Sequence, residues 1–328
     1  GLGDVYKRQG MSLFTTNEWM LLLSARFVNV LLGALMAWVV LKAAKLLFPR
    51  RYAWMFTALV VFLPGNVILY SYVNCDALAM CSTAIIFYSW VKAYKEGWNW
   101  TTCAVSAIGM GLCFLSYYNA YGFILTTFFF FVGTMLTDQE KAPKERWKEM
   151  IQKGLFILVI VCVIALWWFI RNAILYHGDF LGRETSSACA ELYARAKYKP
   201  SNSKTFQKKG DSMLCMIFYR PVYLEHDWLV TVLYSFVGAF GYNRIYLSKM
   251  IIVPYLCCLG IGLILMRNCC QRDFFFWNAD GTQTAIAGKT KRKWSKTGWF
   301  TWANVFALLI PNLSLIHISE PTRPEPIS

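Results

Sequence analysis

Residues 154–184 read GLFILVIVCVIALWWFIRNAILYHGDFLGRE, an unbroken apolar run that closes in paired tryptophans, then Arg171 and Asn172, then a long polar stretch. The apolar part is close to the ~20 residues that a helix needs to cross a bilayer core, and Trp167 and Trp168 are the amphipathic rings that settle at headgroup level. The stretch predicts a membrane-spanning helix that delivers a guanidinium and an amide to one membrane face.

The rest of the chain agrees with that reading. Of its 328 residues 57% are hydrophobic, 17% aromatic and only 16% charged, more apolar surface than a soluble core of this length can hide. A net charge of +15 raises the possibility of nucleic acid as a partner. The basic residues, however, sit in short loops between apolar runs rather than on a face interleaved with aromatics, so topology accounts for them and nucleic acid is excluded.

Apolar runs at 27–48, 53–70, 77–93, 100–137, 154–170, 250–266 and 298–312 predict an all-α integral membrane protein. The run 100–137 is too long for one span, since a helix of that length reaches ~57 Å against a hydrocarbon core of ~30 Å. SYYNAYG at 116–122 supplies a break, which gives about eight spans. Residues 228–241 are too short for a ninth and read as an interfacial or re-entrant element. Pro64-Gly65 and Pro254 interrupt two spans, either as kinks or as helix ends opened beside a cavity.

Orientation follows from the loops. Segments 42–52, 92–98, 138–153 and 267–296 carry 4, 2, 5 and 7 Lys plus Arg, whereas 71–77 and 116–122 carry none. The basic loops are expected in the cytoplasm, with 172–247 as an outer loop and 267–297 as a cytoplasmic connector. GLGDVYKRQ at 1–9 and SLIHISEPTRPEPIS at 314–328 look like adapter-derived tails, leaving 10–313 as a truncated transmembrane domain.

Cysteines say little. Several of the 11 lie inside apolar runs, and the adjacent pairs Cys257-Cys258 and Cys269-Cys270 lack zinc-type spacing. Cys189 and Cys215 share one polar loop and are placed to form a disulfide if it is extracytoplasmic. No metal site or cofactor emerges, and a divalent ion is left open.

Few ionisable groups enter the spans. Polar groups gather at the outer mouths instead: Asn74 and Asp76 between the second and third spans, Tyr117, Tyr118 and Asn119 between the fourth and fifth, Arg171 and Asn172 after the sixth. Arg171 suits a phosphate, because a guanidinium offers permanently charged, bidentate donors, and equally suits an interfacial anchor. Asp76 accepts from a sugar hydroxyl, positions a basic group or caps the third span. His177 and Asp179 form a His-x-Asp pair, which alone is weak evidence for acid–base or metal chemistry. Arg220 and Arg244 are further phosphate or acceptor contacts.

YVNCD at 72–76 behind the Pro-Gly-interrupted span, WWFIRNAILYHGD at 167–179 and SFVGAFG at 235–241 resemble a bacterial family of uncharacterised polytopic membrane proteins related to GT-C-fold glycosyltransferases. The resemblance implies a multi-pass protein of the bacterial cytoplasmic membrane. Such an enzyme takes a sugar from a polyprenyl-phosphate carrier and passes it to a glycan or lipid acceptor on the outer face, for cell-envelope assembly. Enzymes of that kind place an essential acid in their first outer loop. This chain is expected to begin within or after that loop, so the catalytic base lies upstream and the fragment itself is inactive. Glu18 in TTNEW is the only acid ahead of the first span outside the tail and matches no motif. The competing readings are a transporter or flippase of lipid-linked glycans, which calls for an internal repeat and a polar path across the bilayer, and a non-catalytic membrane scaffold. The sequence shows neither repeat nor path.

Overall fold

The computed structural model describes residues 18–137, 142–194, 199–202, 237, 239–240, 245–269, 299–300 and 302–307. The long apolar runs become α1 (Glu18–Leu47), α2 (Arg50–Val61), α3 (Pro64–Ser71), α4 (Asp76–Glu96), α5 (Trp100–Phe114) and α6 (Tyr121–Thr137). α7 (Pro143–Val161) continues through a π-helical turn, Cys162–Leu166, into α8 (Trp167–Leu175). α9 (Arg183–Tyr193) and α10 (Lys249–Cys269) follow, and residues 299–300 and 302–307 are also helical.

The described architecture is all-helical, as expected, apart from one two-residue strand pairing. Ala239–Phe240 (β1) pairs antiparallel with Ile245–Tyr246 (β2) and lies against α3. Most of the segment 228–241 lies outside the described residues.

The count of eight spans is not confirmed. Among the described residues three helices are long and apolar enough to cross a membrane, residues 19–47, 76–96 and 143–175, or four if α2 and α3 are one broken span. α5 and α6, at 15 and 17 residues, reach only about 22 and 25 Å at ~1.5 Å per residue, short of the ~30 Å core. The break between them falls where SYYNAYG places it, at a 3₁₀ turn of Tyr118–Ala120. The Tyr121 hydroxyl closes it by donating to Phe114 O at 2.8 Å.

α2 and α3 meet at a 60° bend. Pro64 has no N–H to give the carbonyl four residues back, and Val60 O would be left bare in an apolar setting. The buried Asn66 amide fills that role, with Nδ2 donating to Val60 O at 2.7 Å. The Pro-Gly interruption is therefore a kink with its own internal partner. Pro254, by contrast, lies inside an α10 that continues through it.

Three registers fix which ends of the helices meet. α4 and α5 form an antiparallel hairpin. Gly97 ends α4 at φ +78, a left-handed conformation that glycine takes without a Cβ clash, and Asn99 starts α5 by accepting from Thr102 N at 2.8 Å. A Cβ on Gly109 would come within 2.9 Å of Ile86, so the two backbones approach as small-residue packing in membranes allows. α5 and α7–α8 run in step, Trp100 against Phe156 and Phe114 against Phe169.

α4 and α6 also run in step. The Trp90 indole donates to Thr127 Oγ1 at 3.0 Å and the Trp98 indole to Thr134 Oγ1 at 2.7 Å. Each threonine hydroxyl in turn donates to a carbonyl one turn back, Phe123 O and Phe130 O, both at 2.6 Å. Trp299 extends the seam by donating to Thr137 Oγ1 at 3.1 Å. The seam gives the two helices a directional contact where lipid removes the hydrophobic drive to associate.

One end of the bundle accordingly gathers the start of α4, the 115–120 turn and the end of α8. The opposite end carries Lys42, Lys45, Arg50, Arg51, Lys92, Lys95 and the start of α7 with Lys144, Arg146 and Lys148. Among the described residues, the basic segments 42–52, 92–98 and 142–153 thus lie at one end, and the segments 71–77 and 116–122, which hold no Lys or Arg, at the other.

Candidate functional site

At the polar end, the 72–76 loop is locked to α1. Asn29, fully buried, donates through Nδ2 to Tyr72 O. Asn74 Nδ2 donates to Leu69 O at 2.7 Å, and its Oδ1 accepts from Ala77 N at 2.9 Å. Asn74 is therefore the side chain that caps α4, the role one reading of the sequence gives Asp76. Asp76 is the first residue of α4, where a carboxylate favours the positive end of the helix dipole. Asn29 escapes sequence reasoning because one amide in an apolar run carries no motif; its signal is only that it stands alone there.

The α8 end depends on the π turn. The buried positions of α7 are Met150, Lys153 and Ile157, a helical stripe. At 3.6 residues per turn the stripe would continue through Ile164, Trp168 and Arg171. It continues instead through Ala165, Phe169 and Asn172, one residue later. The wider turn at Cys162–Leu166 inserts that one-residue phase shift, a change characteristic of π-bulges. Gly111 makes room for it, since a Cβ there would lie 2.9 Å from Ile164. The shift turns Arg171 outward and Asn172 inward.

Arg171 is exposed, and its guanidinium lies over the Trp168 ring at 4.9 Å from the centroid. Stacking occupies the face of the guanidinium and leaves its in-plane N–H donors open to an anion. Asn172 is 5% exposed, and its Oδ1 is buried with no hydrogen-bond partner. Lys153, the one buried cation of α7, is by contrast ion-paired with Glu149 one turn back.

The chain then reverses. Gly178 N donates to Ala173 O and Tyr176 N to Asn172 O, both at 2.8 Å, a Schellman-type helix end with His177 in the left-handed position at φ 50. His177 is exposed. Asp179 Oδ2 accepts from Thr185 N at 2.8 Å and Thr185 Oγ1 at 2.9 Å, tying the turn to the start of α9. The His-x-Asp pair is thus built into a helix end and a tether. Phe180 folds back to stack on Phe169, with centroids 4.8 Å apart.

The structure brings Asn74, Asp76, Arg171, Asn172, His177 and Asp179 to one end of the bundle. Arg220, Arg244 and Cys215 lie outside the described residues; Cys189 is exposed with a free thiol. Among the described residues no group of three or more His, Cys, Asp or Glu side chains is placed to hold a metal ion.

The elements and their ends define a helical, multi-pass membrane protein with one polar and one basic end. Residues 7–168, a little under half of the chain, match the family model described as dolichyl-phosphate-mannose-protein mannosyltransferase, and this match supports a glycosyltransferase family of the GT-C kind. The matched part includes the 72–76 loop and stops at Trp168, short of Arg171. No curated protein and no solved structure matches the chain.

Proposed function

We propose that this protein is a membrane glycosyltransferase that transfers a sugar from a polyprenyl-phosphate donor to a glycan or lipid acceptor on the outer face of a bacterial cytoplasmic membrane. The observation that carries the reading is the family match over residues 7–168, together with a single polar end to the bundle. In the reaction, an acceptor hydroxyl oxygen forms a bond to the anomeric carbon of the sugar. The bond from that carbon to the phosphate oxygen breaks, and polyprenyl phosphate leaves with the electron pair. The acceptor's proton passes to a general base.

Arg171 is the residue proposed to meet the donor phosphate. Its position after the apolar run suits the depth of a lipid-linked phosphate, and charge developing on the leaving group favours a preorganised guanidinium. Lysine keeps the charge and loses both the planar fork and the stack on Trp168.

The test is turnover of a polyprenyl-phosphate sugar panel by the purified natural protein. Arg171→Ala should lower kcat/KM about 10- to 100-fold, the size of one charge-assisted contact of ~1.5–3 kcal/mol, and Arg171→Lys by less, with protein abundance preserved. Parental turnover in both variants would make Arg171 an anchor only. Movement of the lipid-linked glycan across the bilayer without transfer would establish the transporter instead.

A further inference from the structure

We infer that the carboxamide oxygen of Asn172 reads a hydroxyl of the sugar on the same lipid-linked donor, an inference that rests on the donor reading above and adds to it the residue that tells a sugar-bearing carrier from a bare one.

Three observations lead there. Asn172 Oδ1 is buried and unpartnered, and a buried acceptor without a donor costs the full desolvation of that oxygen. The oxygen is brought inside by a specific departure from α geometry, because the one-residue phase shift at Cys162–Leu166 is what moves the buried stripe from 164, 168, 171 to Ala165, Phe169, Asn172. Its neighbour in sequence is the exposed, indole-stacked guanidinium of Arg171. One helical step therefore separates a cation turned to the surface from a neutral acceptor turned into the bundle.

That pairing suits an anionic group and a hydroxyl-bearing group held close together in one ligand. A carboxamide oxygen only accepts, so the matching group must donate, as a sugar hydroxyl does and a fully ionised phosphate does not. The site also lies beside apolar surface. Phe169, one turn before Asn172 on the same face, is stacked by Phe180 from the 176–182 turn and packs edge-on against Phe114.

A structural asparagine and a ligand-reading one respond differently to removal. Where the oxygen bonds within the fold, its loss destabilises; where it waits for a ligand, filling its place with carbon relieves a penalty in the free protein. The experiment measures binding of dolichyl-phosphate mannose and of dolichyl phosphate to the full chain in lipid nanodiscs, with thermal melting, for wild type, Asn172→Leu and Asn172→Ala. Both variants should lose about tenfold in affinity for the mannose-bearing probe, the size of one neutral hydrogen bond, and keep their affinity for the sugar-free probe. Asn172→Leu should melt above wild type. Equal loss of both probes with lowered melting would assign Asn172 to the fold and overturn the inference, as would unchanged binding of both. If wild type binds neither probe, the donor reading itself fails, a result separate from any effect of Asn172.

Discussion

The seam between α4 and α6 and the end of α8 both bring polar atoms into an apolar bundle, and they dispose of them in opposite ways. Along α6, Thr127 and Thr134 each accept from a tryptophan indole and donate to a carbonyl of their own helix, so both capacities of the hydroxyl are used. At α8 a buried amide oxygen has no partner, a cation faces outward on an aromatic shelf, and the following turn runs through positive φ at His177, Gly178 and Gly182. The first pattern is that of packing. The second leaves a buried acceptor unspent beside an exposed cation, with His177 at a positive φ that L residues seldom adopt.

This contrast breaks most readily at the seam. Trp90 is fully buried against Phe123 and Phe130 as well as Thr127, so Trp90→Ala removes a large side chain and a donor together. The expected loss is about 3–5 kcal/mol, read from unfolding in mixed micelles. A loss near zero would show that α4 and α6 are not held by this seam.

Thr127→Val keeps the shape and removes only the hydroxyl, stranding the indole N–H. It should cost about 1–3 kcal/mol in the same assay, less than Trp90→Ala, and leave donor turnover at the parental level. Turnover falling with stability unchanged would move the functional site toward the seam.

The smallest effect is expected at the turn after α8. His177 holds a left-handed conformation that glycine adopts more readily, so His177→Gly should stabilise by up to about 1 kcal/mol and leave kcat/KM unaltered. A large drop in kcat/KM at constant stability would restore the acid–base role that the His-x-Asp spacing invites.

What the sequence made legible followed from composition and period. The apolar runs that are described, the break at SYYNAYG and the bend at Pro64-Gly65 recur in the structure, because each depends on local chain chemistry. The count of about eight spans is not confirmed: among the described residues three or four helices meet the requirements of length and apolarity, because hydropathy measures a run and not the helix that forms within it. Of the candidate site residues, those that are described fall at one end of the bundle, while Arg220 and Arg244 lie outside the described residues, and the geometry among them was not legible. The π turn in CVIAL changes the phase of everything after it, and neither β-branching nor hydropathy signals it. Asn74, rather than Asp76, caps α4, since that choice depends on the path of the 71–75 loop and on Asn29 from a distant part of the chain.

The central claim is that a lipid-linked phosphate docks at the end of α8. Photocrosslinking tests it most directly: the natural protein in native membrane vesicles is labelled with a photoreactive polyprenyl phosphate and the modified peptides are mapped. The account predicts labelling within residues 167–185, abolished by excess unlabelled polyprenyl phosphate and reduced in Arg171→Ala. Competed labelling at the basic end instead, in residues 42–52 or 142–153, would contradict it.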